Sequence, residues 1–266
     1  MVGIRMSRIW SPKKRKKNAI YLLMVFFVIA VSWFCYWIVA KQLLKNNNSK
    51  DNSIDSTKIE VTVPDNRKKV CLDPGHGGGD AGAVYGKIYE SNLNLEVALK
   101  VKTILEENNY KVFLTRTNNI LLAKRERAYY CNSIKADILV SIHHNSYEND
   151  RAIDYATTLY YKESDQLLAN SILESTSKKL AIQNQGVSKF DNSLLWVAEM
   201  PATLSESFFI SNSRERILLS SQKSTRLSDE AEGIATGIIN YFTNPGEIPD
   251  TISAEGLIID RSDLGD

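Results

Sequence analysis

The chain has 266 residues, a formal net charge of +2 and a hydrophobic fraction of 43%. This length accommodates one domain of up to about 200 residues with additional segments, and the small net charge gives no general indication of nucleic-acid binding. The charge is uneven, however, because the first seventeen residues carry seven basic side chains and no acidic one.

Residues 19–40 form a run of 22 residues without a charged side chain. As an α-helix this run would be about 33 Å long, enough to cross the hydrocarbon core of a bilayer. Basic residues precede it, so the positive-inside rule places residues 1–18 in the cytoplasm and the chain after Lys41 outside. The alternatives are a cleaved signal peptide, for which the run is long and IVAKQ a poor cleavage site, and a buried globular helix. We predict a single-pass membrane anchor.

The remainder of the chain divides by composition. Residues 41–67 are rich in Asn, Asp, Ser and Lys, which is typical of a solvated polar linker. Residues 68–244 alternate strand-like apolar runs with helical periodicity, and the acidic residues 245–266 are predicted to be disordered.

The predicted elements follow one another in a strand–helix alternation. In chain order they are a strand at 68–73, a helix at 91–107, a strand at 110–116, a helix at 122–134, strands at 137–143 and 154–161, a helix at 164–180, short strands at 194–197 and 200–206, and a helix at 225–242. This pattern predicts an α/β fold: a mostly parallel twisted sheet flanked by helices on both faces, preceded by the single transmembrane helix. Cys71 and Cys131 are interpreted as small core residues, although a disulfide would be permitted outside the cytoplasm.

Residues 72–86 read LDPGHGGGDAGAVYG, a glycine-rich loop directly after the first strand. Gly77, Gly79 and Gly82 satisfy the G-x-G-x-x-G pattern of dinucleotide-binding loops. However, no helix begins at the third glycine, and no G-K-[ST] follows as in a phosphate-binding loop. We therefore expect no nucleotide here.

A metal site explains the loop better. The three histidines of the chain, His76, His143 and His144, all lie in loops or at strand ends, on the edge where parallel sheets form their sites. Zinc in hydrolytic sites is commonly held by two imidazoles and a carboxylate, which Glu90 supplies if the loop folds back over the sheet edge. Glu206 ends an apolar strand, where it is either a general base with a raised pKa or an ordinary solvated residue.

Seven short motifs occur in order along the domain. They are DPGHGG at 73–78, ExxLNL at 90–95, LTR at 114–116, Rx6N at 125–132, SIHHN at 141–145, TLYY at 158–161 and PATLSESFFISN at 201–212. Together they resemble the zinc-dependent N-acetylmuramoyl-L-alanine amidases of the type-3 amidase family, over about residues 69–242. The resemblance implies hydrolysis of the amide bond between N-acetylmuramic acid and L-alanine in peptidoglycan, by a membrane-anchored enzyme of the bacterial cell envelope.

The resemblance also implies a set of site residues. His76, Glu90 and His143 would hold one Zn²⁺ per chain, and Glu206 would be the catalytic carboxylate. Asp73 is expected either to orient His76 or to cap the turn that follows the first strand.

Two further residues are candidates for substrate binding. Arg125 would contact a carboxylate of the muropeptide, with a surface ion pair as the alternative, and Asn145 belongs to the SIHHN motif. Peptidoglycan and the membrane are therefore the expected partners, with neither nucleic acid nor nucleotide. The sequence identifies no protein activator.

The chain departs from the family pattern at three positions. His144 stands where a small residue is common, and we expect a partly exposed loop histidine there rather than a substrate contact. Phe208 replaces a usual glycine and Gln185 a usual arginine, both where substrate would be held. Two alternatives to the amidase remain: a catalytically silent peptidoglycan-binding or regulatory module, which the Phe208 departure favours, and a zinc peptidase or deacetylase acting on the cell wall.

Overall fold

The computed structural model describes residues 65–244 and, before them, the helical positions 31, 33, 34, 37, 38 and 41. The predicted basic segment (1–18) and acidic tail (245–266) lie outside the described residues, as do most of the predicted anchor (19–40) and linker (41–67). Within the described part of the chain, no helix combines the length and the apolar character needed to span a membrane. All the described strands belong to the second of two units, Asp65–Asp266.

The elements of this unit, in chain order, are β1 (Lys69–Pro74), β2 (Val84–Tyr85), β3 (Ile88–Tyr89), α1 (Glu90–Glu107), β4 (Lys111–Leu114), α2 (Lys124–Ser133), β5 (Ile138–Asn145), β6 (Ala156–Tyr160), a 3-10 turn (Glu163–Asp165), α3 (Gln166–Leu180), β7 (Asn184–Lys189), α4 (Ser193–Val197), β8 (Ala202–Phe209), α5 (Ser213–Ser221) and α6 (Lys223–Thr243).

Six of these strands form one sheet with the order β4-β1-β5-β8-β6-β7. The first four strands are mutually parallel. β6 runs antiparallel to β8, and β7 is parallel to β6, so the last two strands are reversed. The predicted α/β fold with a mostly parallel sheet is confirmed, whereas the reversal was not predicted.

Helices cover both faces of the sheet because side chains alternate along each strand. In β1, Val70 and Leu72 pack into a cluster with apolar side chains of α1, α3 and α6. Cys71, between them, belongs to a second cluster with α2 and α4. The carboxyl ends of β1, β5 and β8 therefore emerge between two helical layers, at one edge of the sheet.

One local prediction differs from the structure, and three elements were not predicted. The predicted strand at 194–197 lies in the short helix α4, which begins where the side chain of Asn192 accepts a hydrogen bond from the backbone N–H of Leu194. β7 was not predicted, because it is a largely half-buried strand of mostly polar residues. The β2–β3 hairpin and α5 were also missed.

A disulfide joins Cys71 of β1 to Cys131 of α2, sixty residues apart in sequence. Both residues are fully buried, as predicted for core positions. The simpler interpretation, two unbonded core cysteines, is wrong because α2 packs directly on β1, with the two Cα atoms 5.8 Å apart. The bond fixes α2 against the strand that leads into the glycine loop.

Candidate metal centre

Three predicted ligands converge at the carboxyl edge of the sheet. His76 follows β1, Glu90 is the first residue of α1 and His143 lies near the end of β5. The Oε1 atom of Glu90 lies 3.2 Å from Nε2 of His76 and 3.1 Å from Nδ1 of His143. One ligand atom from each residue lies within 4.8 Å of the others, so the cluster is able to hold a metal ion.

The chain returns to this edge because the glycine loop folds back through the β2–β3 hairpin. The backbone N–H of Glu90 donates to the carbonyl of Ala83 at 3.0 Å, and that of Ser91 donates to Ala81 at 3.1 Å. The N–H of Ala83 donates to Oε2 of Glu90 at 2.9 Å, which leaves Oε1 facing the histidines. The predicted fold-back of the loop is confirmed.

Two glycines of the loop are required by close approach to the ligands. A Cβ atom on Gly75 would lie 2.1 Å from Nε2 of His143. Gly82 has a φ of +63°, and a Cβ there would lie 2.5 Å from Oε2 of Glu90 and 2.8 Å from Cδ2 of His76. Any side chain at either position would displace a ligand, so the glycines serve the site itself.

Asp80 orients His76, since its Oδ2 lies 2.7 Å from Nδ1 of the ring. Nδ1 therefore carries the hydrogen and Nε2 faces Glu90, an arrangement common behind metal-binding histidines.

The ligands also shift one another's pKa values. Burial lowers the pKa of His76, but the carboxylates of Glu90 and Asp80 outweigh it and raise this pKa to about 9. Burial raises the pKa of Glu90, yet His143 and His76 hold it well below its ordinary value.

Asp73 has a different role from either one expected. Its buried carboxylate accepts hydrogen bonds from the hydroxyls of Thr115 and Ser141 and from Nη1 of Arg127, at 2.5, 2.7 and 2.9 Å. It neither orients His76, which Asp80 does, nor caps the turn. Burial raises the pKa of Asp73, but Arg127 and the two hydroxyls more than compensate and lower it.

Arg127 is a functional residue that sequence reasoning missed. Its guanidinium donates to the carbonyl oxygens of Pro74 and His76 at 2.8 and 2.9 Å, as well as to Asp73. The buried Arg116 supports the same loop by donating to the carbonyls of Pro74 and Gly75, each at 2.8 Å. The LTR motif contained Arg116, but nothing in the sequence indicated that α2 turns Arg127 inward.

Glu206 lies beside the ligands on β8. It is in register with His143 on β5 and with Thr157 on β6. Residues in register on neighbouring strands point to the same face, so the Glu206 carboxylate is on the same side as His143. Glu206 is only 8% exposed, because β8 continues to Phe209. The alternative of an ordinary solvated strand end is therefore wrong, and the role of general base stays a prediction.

The candidate substrate contacts lie in different environments. Arg125 is exposed on α2, and its guanidinium stacks 4.8 Å from the ring centroid of Trp196. The alternative, a surface ion pair, is not seen within the described part of the chain, where no carboxylate is paired with Arg125. Asn145 is buried at the end of β5, where its Oδ1 accepts from the N–H of Ser146 at 2.8 Å. Substrate binding by either residue stays a prediction.

Two of the three departures contact each other. His144 is 3% exposed and Phe208 is fully buried, with their ring centroids 4.4 Å apart. The expectation of a partly exposed loop histidine is wrong, because β5 continues past His143 and turns His144 toward the α1 and α6 side. Phe208 is likewise unable to hold substrate. Gln185 lies on β7, and its Oε1 accepts from the Gln183 amide at 2.9 Å.

Comparisons with known proteins agree with the motifs. A family model described as N-acetylmuramoyl-L-alanine amidase matches residues 70–240. The endolysin of Bacillus phage SPP1 is 36% identical over 179 residues, which cover 64% of this chain and 65% of that protein. The chain thus spans just under two thirds of this relative.

Two further relatives are covered more completely. The germination-specific N-acetylmuramoyl-L-alanine amidase of Bacillus subtilis is 32% identical over 215 residues, covering 71% of this chain and 86% of that one. The solved catalytic domain of CwlV, an N-acetylmuramoyl-L-alanine amidase from Bacillus (Paenibacillus) polymyxa, has a TM-score of 0.62 and 32% identity. The superposition covers 66% of this chain and 98% of that domain.

Proposed function

Because the chain belongs to the type-3 N-acetylmuramoyl-L-alanine amidase family, we propose that it hydrolyses the amide bond between N-acetylmuramic acid and L-alanine in peptidoglycan. The observation that carries the proposal is the convergence of His76, Glu90 and His143 beside Glu206. The four side chains come from three separate regions of sequence, and the sheet edge brings them together.

We propose that the metal is Zn²⁺, one ion per chain. Two imidazole nitrogens and one carboxylate oxygen are a common ligand set of catalytic zinc, with a position left for water. Zinc–nitrogen bonds of 2.0–2.1 Å in a tetrahedron place neighbouring ligand atoms about 3.3 Å apart. The separations of 3.2 and 3.1 Å from Glu90 Oε1 to the two histidines are close to that spacing, and all three ligand atoms lie within 4.8 Å of one another.

In the proposed reaction Glu206 acts as the general base and then as the general acid. When bound, zinc would supply an acidified water and positive charge next to the developing oxyanion. Glu206 accepts a proton as the water attacks the carbonyl carbon of the lactyl group. It returns this proton to the nitrogen of L-alanine as the C–N bond breaks, which yields a carboxylic acid and a free amine. Asp80 keeps Nε2 of His76 directed at the centre throughout.

Substrate contacts by Arg125 and Asn145 are part of the same proposal. Arg125 is exposed at the start of α2, and the guanidinium is a suitable partner for a peptide carboxylate. The side chain of Asn145 is buried, so it would act from below the substrate, at the end of β5.

The cellular location of the protein is proposed from its sequence. The uncharged residues 19–40, preceded by basic side chains, are long enough for a membrane anchor that places the domain outside the cytoplasm. The disulfide between Cys71 and Cys131 supports that side of the membrane, because disulfides persist in oxidising compartments. The full-length chain should sediment with membranes. Protease added to intact protoplasts, from which the cell wall has been removed, should cleave the domain. Protection from the protease would overturn the orientation.

The activity test uses the purified full-length chain on peptidoglycan, with product masses as the readout. We expect released peptide stems that carry a free amino group on L-alanine, no release after chelation, and recovery with zinc. Glu206→Gln should lower the rate by about 10²–10⁴-fold while zinc content stays near that of the wild type. Glu199→Gln, an exposed acid just before β8, is the matched control and should retain the rate.

Other outcomes would replace the proposal. Zinc binding without any turnover would indicate a silent binding or regulatory module. Cleavage between two amino acids would indicate a peptidase, and release of acetate a deacetylase. Full activity of Glu206→Gln would show that another group is the base.

A further inference from the structure

Behind the metal centre lies a buried polar cluster that none of the proposed catalytic steps uses. His144 of β5 and Glu230 of α6 form an ion pair, with 3.0 Å between Nε2 and Oε2, and neither side chain is exposed to solvent. Nδ1 of the same imidazole lies 2.7 Å from Oδ1 of Asn94 on α1, which is also fully buried. The cluster therefore joins one strand and two helices.

The hydrogen bonds orient the groups of the cluster. The amide nitrogen of Asn94 donates to the carbonyl of Gly75 at 3.2 Å, so its oxygen is the atom that faces His144. Nδ1 of His144 then carries a hydrogen toward Asn94, and Nε2 shares one with the carboxylate of Glu230. His144 is thus held between a helix on either side of it, as one half of a buried pair with Glu230.

Such a pair contributes little to net stability. Removing two charges from water costs several kcal/mol per ion, and apolar side chains of similar volume are often as stable or more so. What the pair supplies is a defined direction for the imidazole, because its two ring nitrogens lie against Asn94 on α1 and Glu230 on α6.

The cluster ends on a metal ligand. The backbone N–H of His144 donates to Oε1 of Glu90 at 3.2 Å, and the Asn94 amide nitrogen lies 3.4 Å from the same oxygen. Oε1 is also the atom that faces both histidine ligands. The position of this oxygen is therefore set from behind by a chain of contacts that begins at Glu230.

We propose that Glu230 and His144 are positioning residues of the metal centre, which hold Asn94 and the ligand oxygen of Glu90 in place for the ion. This inference rests on the proposed zinc site. Loss of a group that orients a metal ligand typically costs 10–100-fold in metal affinity.

The test measures zinc affinity of the full-length chain by competition with a chromogenic chelator. Glu230→Gln should raise the dissociation constant for Zn²⁺ by about 10–100-fold. The absorption spectrum of the Co²⁺-loaded variant should also differ from that of the wild type, because the ligand geometry changes. Unfolding midpoints of the metal-free proteins separate this effect from a general loss of stability.

Asp165→Asn is the matched control. Asp165 is also a fully buried acid, but it accepts from the N–H of Ala202, the first residue of β8, away from the ligands. This variant should lose stability and keep the zinc affinity and the cobalt spectrum of the wild type.

A double variant covers the case in which Glu230→Gln leaves a buried charge and does not fold. His144→Gln with Glu230→Gln removes both charges, so no unpaired ion remains in the core. It should fold and show the same loss of zinc affinity as the single variant, because each residue acts through the other. A folded single or double variant with wild-type zinc affinity would overturn the inference and leave the proposed function standing. A wild-type chain that binds no zinc would overturn both.

Discussion

Replacing Arg127 by Met tests whether the metal loop depends on a buried arginine of α2. The guanidinium donates four hydrogen bonds, to Asp73 and to the carbonyl oxygens of Leu122, Pro74 and His76, at 2.8 to 3.0 Å. Its side chain is 5% exposed and that of Asp73 is 1% exposed. The substitution leaves the Asp73 carboxylate buried without its counter-ion.

The expected cost follows from that burial. Breaking a buried ion pair by removing one partner costs about 3–5 kcal/mol of the free energy of unfolding. Arg125→Met, two positions earlier on the same helix, removes an exposed stacking contact with Trp196 and should cost about 0.5–1 kcal/mol. The double variant Arg127→Met with Asp73→Asn should recover part of the loss, because the unpaired charge is gone.

Urea unfolding of the metal-free, full-length variants, followed by far-UV circular dichroism, provides the free energies. Arg125→Met is a matched control for Arg127→Met, because both changes lie on α2 and remove the same kind of side chain. If Arg127→Met destabilised the protein no more than Arg125→Met, the assignment of Arg127 as the support of the loop would be refuted.

Three further outcomes are expected. Reduction of the bond between Cys71 and Cys131, which closes a loop of about sixty residues, should lower the free energy of unfolding by about 4 kcal/mol, and an unchanged urea midpoint under reductant would contradict this. Asp80→Asn should weaken zinc binding about 10–100-fold with little change in stability, because Asp80 is half exposed; equal zinc affinities in the two proteins would argue against it. Because His76 must lose a proton of pKa about 9 before it binds a metal, apparent zinc affinity should rise from neutral pH to about pH 9, roughly tenfold per unit, and a flat profile would speak against that competition.

The parts of the fold that were predicted correctly are those with strong local patterns. β1 and β5 are apolar strands buried on both faces, and α1 carries an apolar stripe at helical spacing. The glycines after β1 indicated a tight loop near a ligand, and the position of Glu90 at its end made the fold-back predictable. These features depend on near neighbours in sequence.

The errors concern features that long-range packing decides. Arg125 and Arg127 lie on different sides of α2, and only the side that carries Arg127 faces β1. The sequence did not show this orientation because the helix has few buried apolar residues. The environment of His144 differs from the expected one because β5 ends two residues later than predicted, at Asn145, and a strand turns successive side chains to opposite faces. No pattern near His144 points to Glu230, eighty-six residues away.

The interior position of β8 in the sheet has a mechanical consequence for Glu206, the proposed base. Glu206 sits on an interior strand, with β5 bonded on one side and β6 on the other. Its Cα atom is therefore held by two backbone ladders and moves only if both neighbouring strands move. If Glu206 is the base, as proposed, its backbone keeps its place beside His143 while a substrate enters, and any adjustment is made by the carboxylate side chain or by the substrate.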